Sequence, residues 1–400
     1  MFDDAMTIKD GVTVLNHYAE QLIHLLDTEI SGLSTPTKIP TPYGGQLVYT
    51  LPGGSKLAIH LKNKTLIRHK KRWSMVQYMY YLLGYRLMSE FPDNELRMMT
   101  AAENTFILTL DGDVYFEPAS IQQLLDEILS NSKLGVVCGR IHPIGQGLMV
   151  WYQRFEYAIA HWLHKTAESV MGVVLCTPGA FSLFRASALM DKNVMKKYTE
   201  VAKTGKDILQ REQGEDRWLC TLLLQQGHRC GYVPTASAQT YAPETMSEFF
   251  NQRRRWALSS IVNQLDLLIS WKNSYLKNRD VSLAYVIFQA LMMLSTLIGP
   301  AYVLLVIAYA NMLVFHHDID MAYTIAIVAP IFYTVLCTFT ESAQQIRVAG
   351  IMAIYYGCLM LVYLVGNIQQ LTENEILWSP TGLFLFCKCI YRSTRLSKPI

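Results

Sequence analysis

Thr105-Phe-Ile-Leu-Thr-Leu-Asp-Gly-Asp113 is the stretch on which the reading of this chain turns. Thr105–Leu110 is a short apolar run with β-branched and aromatic members, bounded by a turn signal, and reads as a buried strand. It ends on Asp111 and Asp113, separated by Gly112. In open α/β sheets, ligands gather at the carboxyl ends of strands. Two carboxylates there can hold a divalent cation, and the cation a diphosphate. Gly112 lets the backbone approach a ligand closely. Asp-Gly-Asp is equally a common turn; the buried strand before it tips the reading towards a metal site.

Further strands are read at Leu134–Cys138, Gly172–Cys176, Phe181–Phe184 and Gly231–Val233. Between them, Ser120–Ser130 follows a Pro118-Ala-Ser120 start with helical spacing. Val150–Lys165 spaces Trp151, Phe155, Ile159 and Trp162 helically. Strands alternating with helices imply a layered α/β domain with a mixed, mostly parallel sheet.

Residues 246–272 differ. Leu258, Ile261, Val262, Leu265, Leu268 and Ile269 share one helical face, and Ser259, Ser260, Asn263, Gln264 and Asp266 fill the other. Both a core-facing helix and an amphipathic interfacial helix fit this pattern. Lipid-like sequence follows. Leu283–Phe315 has no charged residue and exceeds a hydrocarbon core of ~30 Å; Gly299-Pro300 is read as a kink. Ala322–Thr340 and Val348–Gly366 are further spans, and Leu377–Ile390 begins a fourth. Segment 252–280 is basic, and so are Arg347 and the tail with Lys388, Arg392, Arg395 and Lys398. The intervening loops around His316-His317-Asp318 and at Asn367–Ser379 carry no Lys or Arg. That alternation puts the soluble domain on the cytosolic side of the bilayer.

The bulk numbers agree. Hydrophobic residues make up 51% and charged ones 17%, against about 25% in soluble domains. A net charge of +3 offers no case for nucleic acid. The eight cysteines, at 138, 176, 220, 230, 337, 358, 387 and 389, form no CxxC pair and no zinc spacing, and read as reduced cytosolic thiols. Met1-Phe-Asp-Asp has no basic region before an apolar core, so no secretory leader is expected.

Four other segments carry candidate chemistry. Gly214-Glu-Asp-Arg-Trp218 reads as a helix N-terminus, where Glu215 and Asp216 are caps or one of them is a general base. In Gln252-Arg-Arg-Arg-Trp256 an arginine could clamp a phosphate and Trp256 face a sugar; a basic collar beside a membrane span explains the run equally well. Lys62–Trp73, with Lys64 and Arg68, is a solvated basic face or a phosphate or uridine contact. Cys176-Thr-Pro-Gly-Ala180 is a turn that could frame an acceptor.

Taken together, the chain resembles chitin synthase of the animal type, a family-2 processive glycosyltransferase. The resemblance rests on Pro42-Tyr-Gly-Gly45, Lys62–Trp73, Leu110-Asp-Gly-Asp113, Cys138-Gly-Arg-Ile-His-Pro143, Met149-Val-Trp-Tyr-Gln153, Phe155-Glu-Tyr157, Asn193-Val-Met-Lys-Lys-Tyr198, Gln213-Gly-Glu-Asp-Arg-Trp218 and Asn251-Gln-Arg-Arg-Arg-Trp256, in family order over roughly residues 40–260. It implies a GT-A-like catalytic domain over 1–243, an interfacial segment over 244–280 and transmembrane helices over 281–400. It implies a hexosyltransferase that takes UDP-N-acetylglucosamine as donor and lengthens a growing β-1,4 chitin chain. A plasma-membrane enzyme with a cytosolic catalytic domain would couple synthesis to export across the lipid bilayer. By position, Asp113 with Asp111 would bind Mg²⁺ or Mn²⁺, and Asp216 would be the base. Arg255, Asp111, Asp3, Asp4, Lys64 and Arg68 would contact the donor. Gln252, Trp256, Glu215, Cys176, Pro178 and Gly179 would stand at the acceptor. The family's first strand and nucleotide loop, its earlier membrane clusters and its later Trp-Gly-Thr-Arg-Glu segment have no counterpart here. An N-terminally incomplete domain is therefore expected, with a catalytically silent chain, or another processive synthase of hyaluronan or cellulose type, as the alternative. A homo-oligomer stays open.

Overall fold

The computed structural model describes residues 1–9, 12–68, 70–191, 193–278 and 281–373. It divides into two compact units, Met1–Ala242 with Arg253–Ile287, and Pro243–Gln252 with the chain from Phe288 onward.

In the first unit, β1 (Met6–Lys9) and β2 (Val12–Leu15) form a hairpin. The helix His17–Glu29 follows, capped by Asn16, whose side chain accepts from Ala19 N at 2.9 Å. Then β3 (Thr37–Thr41), β4 (Gly44–Thr50) and β5 (Lys56–Lys62) make an antiparallel meander. Gly44 has φ +140°, and a Cβ there would meet Leu61 O at 2.3 Å, so this turn needs glycine. Ala5, Ala19, Leu47, Tyr49, Ile59 and Leu61 close a small core beneath the meander.

The main sheet comprises β6 (Phe106–Leu110), β7 (Val114–Phe116), β8 (Leu134–Ile144), β9 (Phe181–Arg185) and β10 (Arg229–Tyr241), in the order β6-β9-β8-β10-β7. The strand expected from Phe-Ile-Leu-Thr-Leu is present as β6, and β8, β9 and β10 contain the other three strand readings. The sheet is mixed, as expected, but not mostly parallel. Among the described residues only β8 and β10 pair in parallel; β6–β9, β8–β9 and β10–β7 are antiparallel.

The cause lies in Gly172–Cys176, which was expected to be a strand and joins no ladder. Val173, Val174 and Leu175 are buried, and Val174 N donates to Cys230 O at 3.0 Å. The run is apolar because it is a buried connector. It brings the chain back to the carboxyl end of β6, so that Phe181 pairs with Leu110 and β9 must run against β6. The Cys176–Ala180 loop and the Asp111–Asp113 turn therefore share one sheet edge.

Helices cover the sheet. Pro118–Ser130 starts on its proline, as expected. The expected 150–165 helix is longer: Leu148–Ile159 continues through a π-helical stretch, Ala160–His164, into Lys165–Val170. Glu215–Gln226 is the central helix, and every residue from Trp218 to Leu224 is buried.

Met246–Ile269 is one helix, but its apolar stripe is not the packed face. Ser259, Asn263 and Leu267 are buried, whereas Leu258 and Ile269 are 45% and 72% exposed. The polar face packs because it meets Gly214: a Cβ there would lie 2.7 Å from Ser259 Cβ and 2.9 Å from Asn263 Nδ2.

Among the described residues three helices are long and apolar enough to cross a membrane, with spans Leu283–Met312, Ile319–Phe339 and Ser342–Val365. Pro300 lies inside the first of these helices. Arg347, read as a loop residue, belongs to the third helix, Ser342–Glu373. Leu377–Ile390, Cys387, Cys389 and the basic tail lie outside the described residues.

Arg72 is 1% exposed; its Nη1 lies 2.5 Å from Glu212 Oε1, and its Nη2 donates to the carbonyls of Glu200, at 2.6 Å, and Tyr198. Arg72→Met strands a largely buried carboxylate and two carbonyls. The variant is expected to lose about 3–5 kcal/mol of stability, read as a lowered denaturation midpoint in detergent. An unchanged midpoint would show that this cluster is not a tie.

Candidate active site

Four segments converge at the β6 edge: the Asp111–Asp113 turn, the Cys176–Ala180 loop, the start of Glu215–Gln226, and the start of the helix Lys71–Met79. Lys71 Nζ lies 2.7 Å from Asp111 Oδ1 and 3.0 Å from Oδ2. Burial alone would lower its pKa, yet Asp216, Asp111 and Glu215 together hold it above the usual lysine value. Glu215 responds in the opposite sense. Burial, then the Asp216 charge, push its carboxyl up to about 7, while Lys71 and Arg255 pull it back. Burial also raises the Tyr78 phenol, helped by Asp216 and Asp111. One ammonium and three carboxylates thus share a field.

Asp216 lies beneath the loop. A Cβ on Gly179 would stand 2.7 Å from Asp216 Oδ1, so glycine is what allows this approach. That Oδ1 is buried and has no hydrogen-bond partner among the described residues. Burial pushes the nearby Cys176 thiol up, which keeps it protonated at neutral pH. Asp113 accepts from Thr240 Oγ1 at 3.2 Å. Around Gly112 a Cβ would meet nothing within 4 Å. Two hard carboxylates beside open space suit a divalent cation whose remaining ligands come from a diphosphate and water. Among the described residues no group of three or more metal-ligating side chains exists.

The helix Met246–Ile269 supplies the next wall. Arg253 grips Glu156 through Nε, 3.0 and 3.1 Å from the two carboxylate oxygens, and Nη2, 2.5 Å from Oε2. Its guanidinium lies 4.5 Å from the Trp256 ring centroid and 6.0 Å from that of Tyr157. One face of Trp256 is therefore taken by arginine. Arg254 and Arg255 are exposed, and of the three arginines Arg255 is the one whose charge acts on Glu215. Gln252 falls in the second unit.

The early aspartates stand beside this edge. Asp3 accepts from Lys62 Nζ at 2.7 Å, Ser74 Oγ at 2.7 Å and Lys70 N at 2.5 Å. Burial would raise the Asp3 carboxyl, but these donors leave it below the ordinary value. Lys70, the next residue before Lys71, has φ +87°, unusual for a side-chain-bearing residue. Asp4 pairs with Lys64 at 2.9 Å on the surface. Arg68 stacks over Trp73, 5.0 Å from its ring centroid.

The structure therefore brings Asp111, Glu215, Asp216, Gly179, Cys176 and Arg255 together, with Asp113 two residues beyond Asp111. Asp3 reaches the group through the Lys70–Lys71 step, whereas Asp4, Lys64 and Arg68 pair among themselves or with neighbours. Sequence reasoning missed Lys71, Tyr78 and the Arg253–Glu156 clamp. Lys71 lay inside a basic run that was noticed, but no local signal separates it from its neighbours.

Comparison with known proteins bears on this site. Residues 70–367 match the family model described as chitin synthase. Chitin synthase chs-2 of Caenorhabditis elegans is 45% identical over 391 residues, which cover 96% of this chain and 23% of that protein. Chitin synthase chs-1 of the same organism is 46% identical over 413 residues, covering 98% of this chain and 31% of the relative. The chain thus spans between a fifth and a third of the length of these relatives. A Pyrobaculum calidifontis mannosyltransferase solved with GDP-Man and Mn²⁺ superposes with a TM-score of 0.32 at 11% identity, over 72% of this chain and 68% of that one, too low to bear on the fold.

The Glu215 shift has a consequence for stability. Its folded pKa of about 7 lies above the ordinary 4.5, so the folded chain keeps a proton that the unfolded chain releases. Stability should fall as pH rises from about 4.5 to about 7, then level off. Glu215→Gln should flatten that window, measured as denaturation midpoints at both ends. An equal slope in the variant would clear Glu215 as its source.

Proposed function

The chain belongs to the chitin synthase family, and we propose that it carries the catalytic centre of a membrane-embedded synthase that extends β-1,4-linked chitin from UDP-N-acetylglucosamine. The observation that carries this reading is the meeting of Lys71 with Asp111, Glu215 and Asp216, the last of them beneath Gly179. It supplies a base, a diphosphate end and an acceptor loop within one GT-A-like edge.

In this reading Asp216 takes the proton from the 4-hydroxyl at the non-reducing end of the growing chain, as that oxygen attacks the anomeric carbon with inversion. Arg255 and Lys71 face the departing UDP with positive charge. Mg²⁺ or Mn²⁺ held by Asp113 and Asp111 would neutralise diphosphate charge when bound. Glu215, protonated through part of the neutral range, keeps a second negative charge away from the base. Trp256, with Cys176, Pro178 and Gly179, borders the acceptor. Asp3, Asp4, Lys64 and Arg68 belong to the donor's uridine side.

The three apolar helices fit a multi-pass membrane protein. Arg253, Arg254, Arg255, Lys272 and Lys277, all ahead of the first apolar helix, support a cytosolic catalytic domain. The exposed apolar stripe of Met246–Ile269 supports an interfacial setting for that helix. In a plasma membrane, such an arrangement would let the polymer leave as it grows.

Asp216→Asn in a full-length relative tests the base. Polymer synthesis should drop by roughly 10²–10⁴-fold while UDP still binds. Near-normal synthesis would remove Asp216 from that role, and a radiolabelled donor panel would expose a hyaluronan- or cellulose-type specificity.

A further inference from the structure

One sulfur joins the acceptor loop to the helix that carries Asp216. Cys220 lies one turn beyond Asp216 on Glu215–Gln226. Thr177 donates its backbone N–H to Cys220 Sγ at 3.2 Å, and its hydroxyl lies 2.9 Å from the same atom. Both residues are 0% exposed. Two positions on, Gly179 lies so near Asp216 that a Cβ on it would stand 2.7 Å from Oδ1. The far end of the loop is fixed to the sheet edge: Asp111 N donates to Ala180 O at 3.4 Å, and Ser182 Oγ to Pro178 O at 2.6 Å.

We propose that Cys220 is a positioning residue for the transfer reaction: its sulfur sets the height of the Thr177–Gly179 segment above the Asp216 carboxylate, and so places the acceptor hydroxyl against the base. This rests on the reading of Asp216 as base and of the loop as acceptor wall. The physics is local. Sulfur is a large, soft acceptor and a weak donor; here it accepts the Thr177 N–H and shares a hydrogen bond with the Thr177 hydroxyl, on a residue that water does not reach. Removing it leaves the Thr177 N–H and O–H buried without partners, a state the loop can escape by lifting. Sinking is opposed, because the space between Gly179 and the carboxylate is already too small for a Cβ. Lifting moves the acceptor hydroxyl out of hydrogen-bond reach of Asp216, and a displacement of about 1 Å is worth on the order of 10²-fold in rate.

The test uses the full chain with Cys220→Ala, Cys220→Ser, Thr177→Val and the double variant Cys220→Ala/Thr177→Val. It reads amide hydrogen exchange over Thr177–Ala180, binding of chitotetraose with UDP and Mn²⁺ present, and binding of UDP with Mn²⁺ alone. Cys220→Ala should speed loop exchange and weaken chitotetraose about tenfold, with UDP binding changed by less than about twofold. Cys220→Ser, which keeps an acceptor, should recover most of the loss. The double variant should be no worse than the weaker single, because both remove the same contact. Unchanged loop exchange and chitotetraose binding in Cys220→Ala and Thr177→Val would overturn the proposal. So would losses that add in the double variant, or UDP binding that falls in step with chitotetraose, since those mark general packing damage. An unaltered chain that binds UDP but no chitotetraose would overturn the acceptor reading instead, and loop exchange would then decide the sulfur contact by itself.

Discussion

Three consecutive residues tie this unit together through hydrogen bonds to carboxylates. Lys70 gives its backbone N–H to Asp3, Lys71 gives its ammonium to Asp111, and Arg72 grips Glu212 and the Tyr198 and Glu200 carbonyls. The three point in different directions, because successive residues at a helix start cannot share a face. The N-terminal meander, the metal-type turn and the layer behind the central helix are thereby indexed to one point of the backbone. Lys71 is the indispensable member. Its ammonium stands among Asp111, Glu215 and Asp216, and it pulls down the Glu215 carboxyl that burial and the Asp216 charge push up. The backbone conformation of Lys70 fits this account: φ of +87° is held where Asp3 engages its N–H.

What the sequence made legible was local. The apolar run before Asp111 marked a strand, and acidic residues before Trp218 marked a helix start, since each depends on neighbours within one turn or one ladder. Long-range geometry was not legible. Lys71 and Asp111 are 40 residues apart and Arg253 and Glu156 are 97 apart, and no period joins either pair. Strand direction was misread for a related reason. Val173–Leu175 has the composition of a buried strand and is buried, but burial leaves open whether a ladder forms. Nothing local in Pro42-Tyr-Gly-Gly45 marks its geometry, although Gly44 is demanded by the close approach of Leu61 O.

Two glycines define how closely this site is built. Gly179 lets a loop rest on the Asp216 carboxylate, and Gly214 lets the Met246–Ile269 helix rest on the residue before Glu215. Asp216 is therefore faced by the bare backbone of Gly179, while the residue before Glu215 takes the Ser259 and Asn263 side chains of the helix directly. Protein interiors transmit small displacements rather than absorb them, so a shift of either partner reaches these carboxylates directly.

That helix also carries a practical consequence. Its small polar face is spent on Gly214, which leaves Leu258, Leu265 and Ile269 facing outward. A catalytic unit separated from its membrane helices would keep this stripe on its surface and behave as a surfactant-like body, sticking to detergent, vesicles or its own copies. Purification of the soluble portion alone thus calls for an amphiphile even though every membrane span has been removed.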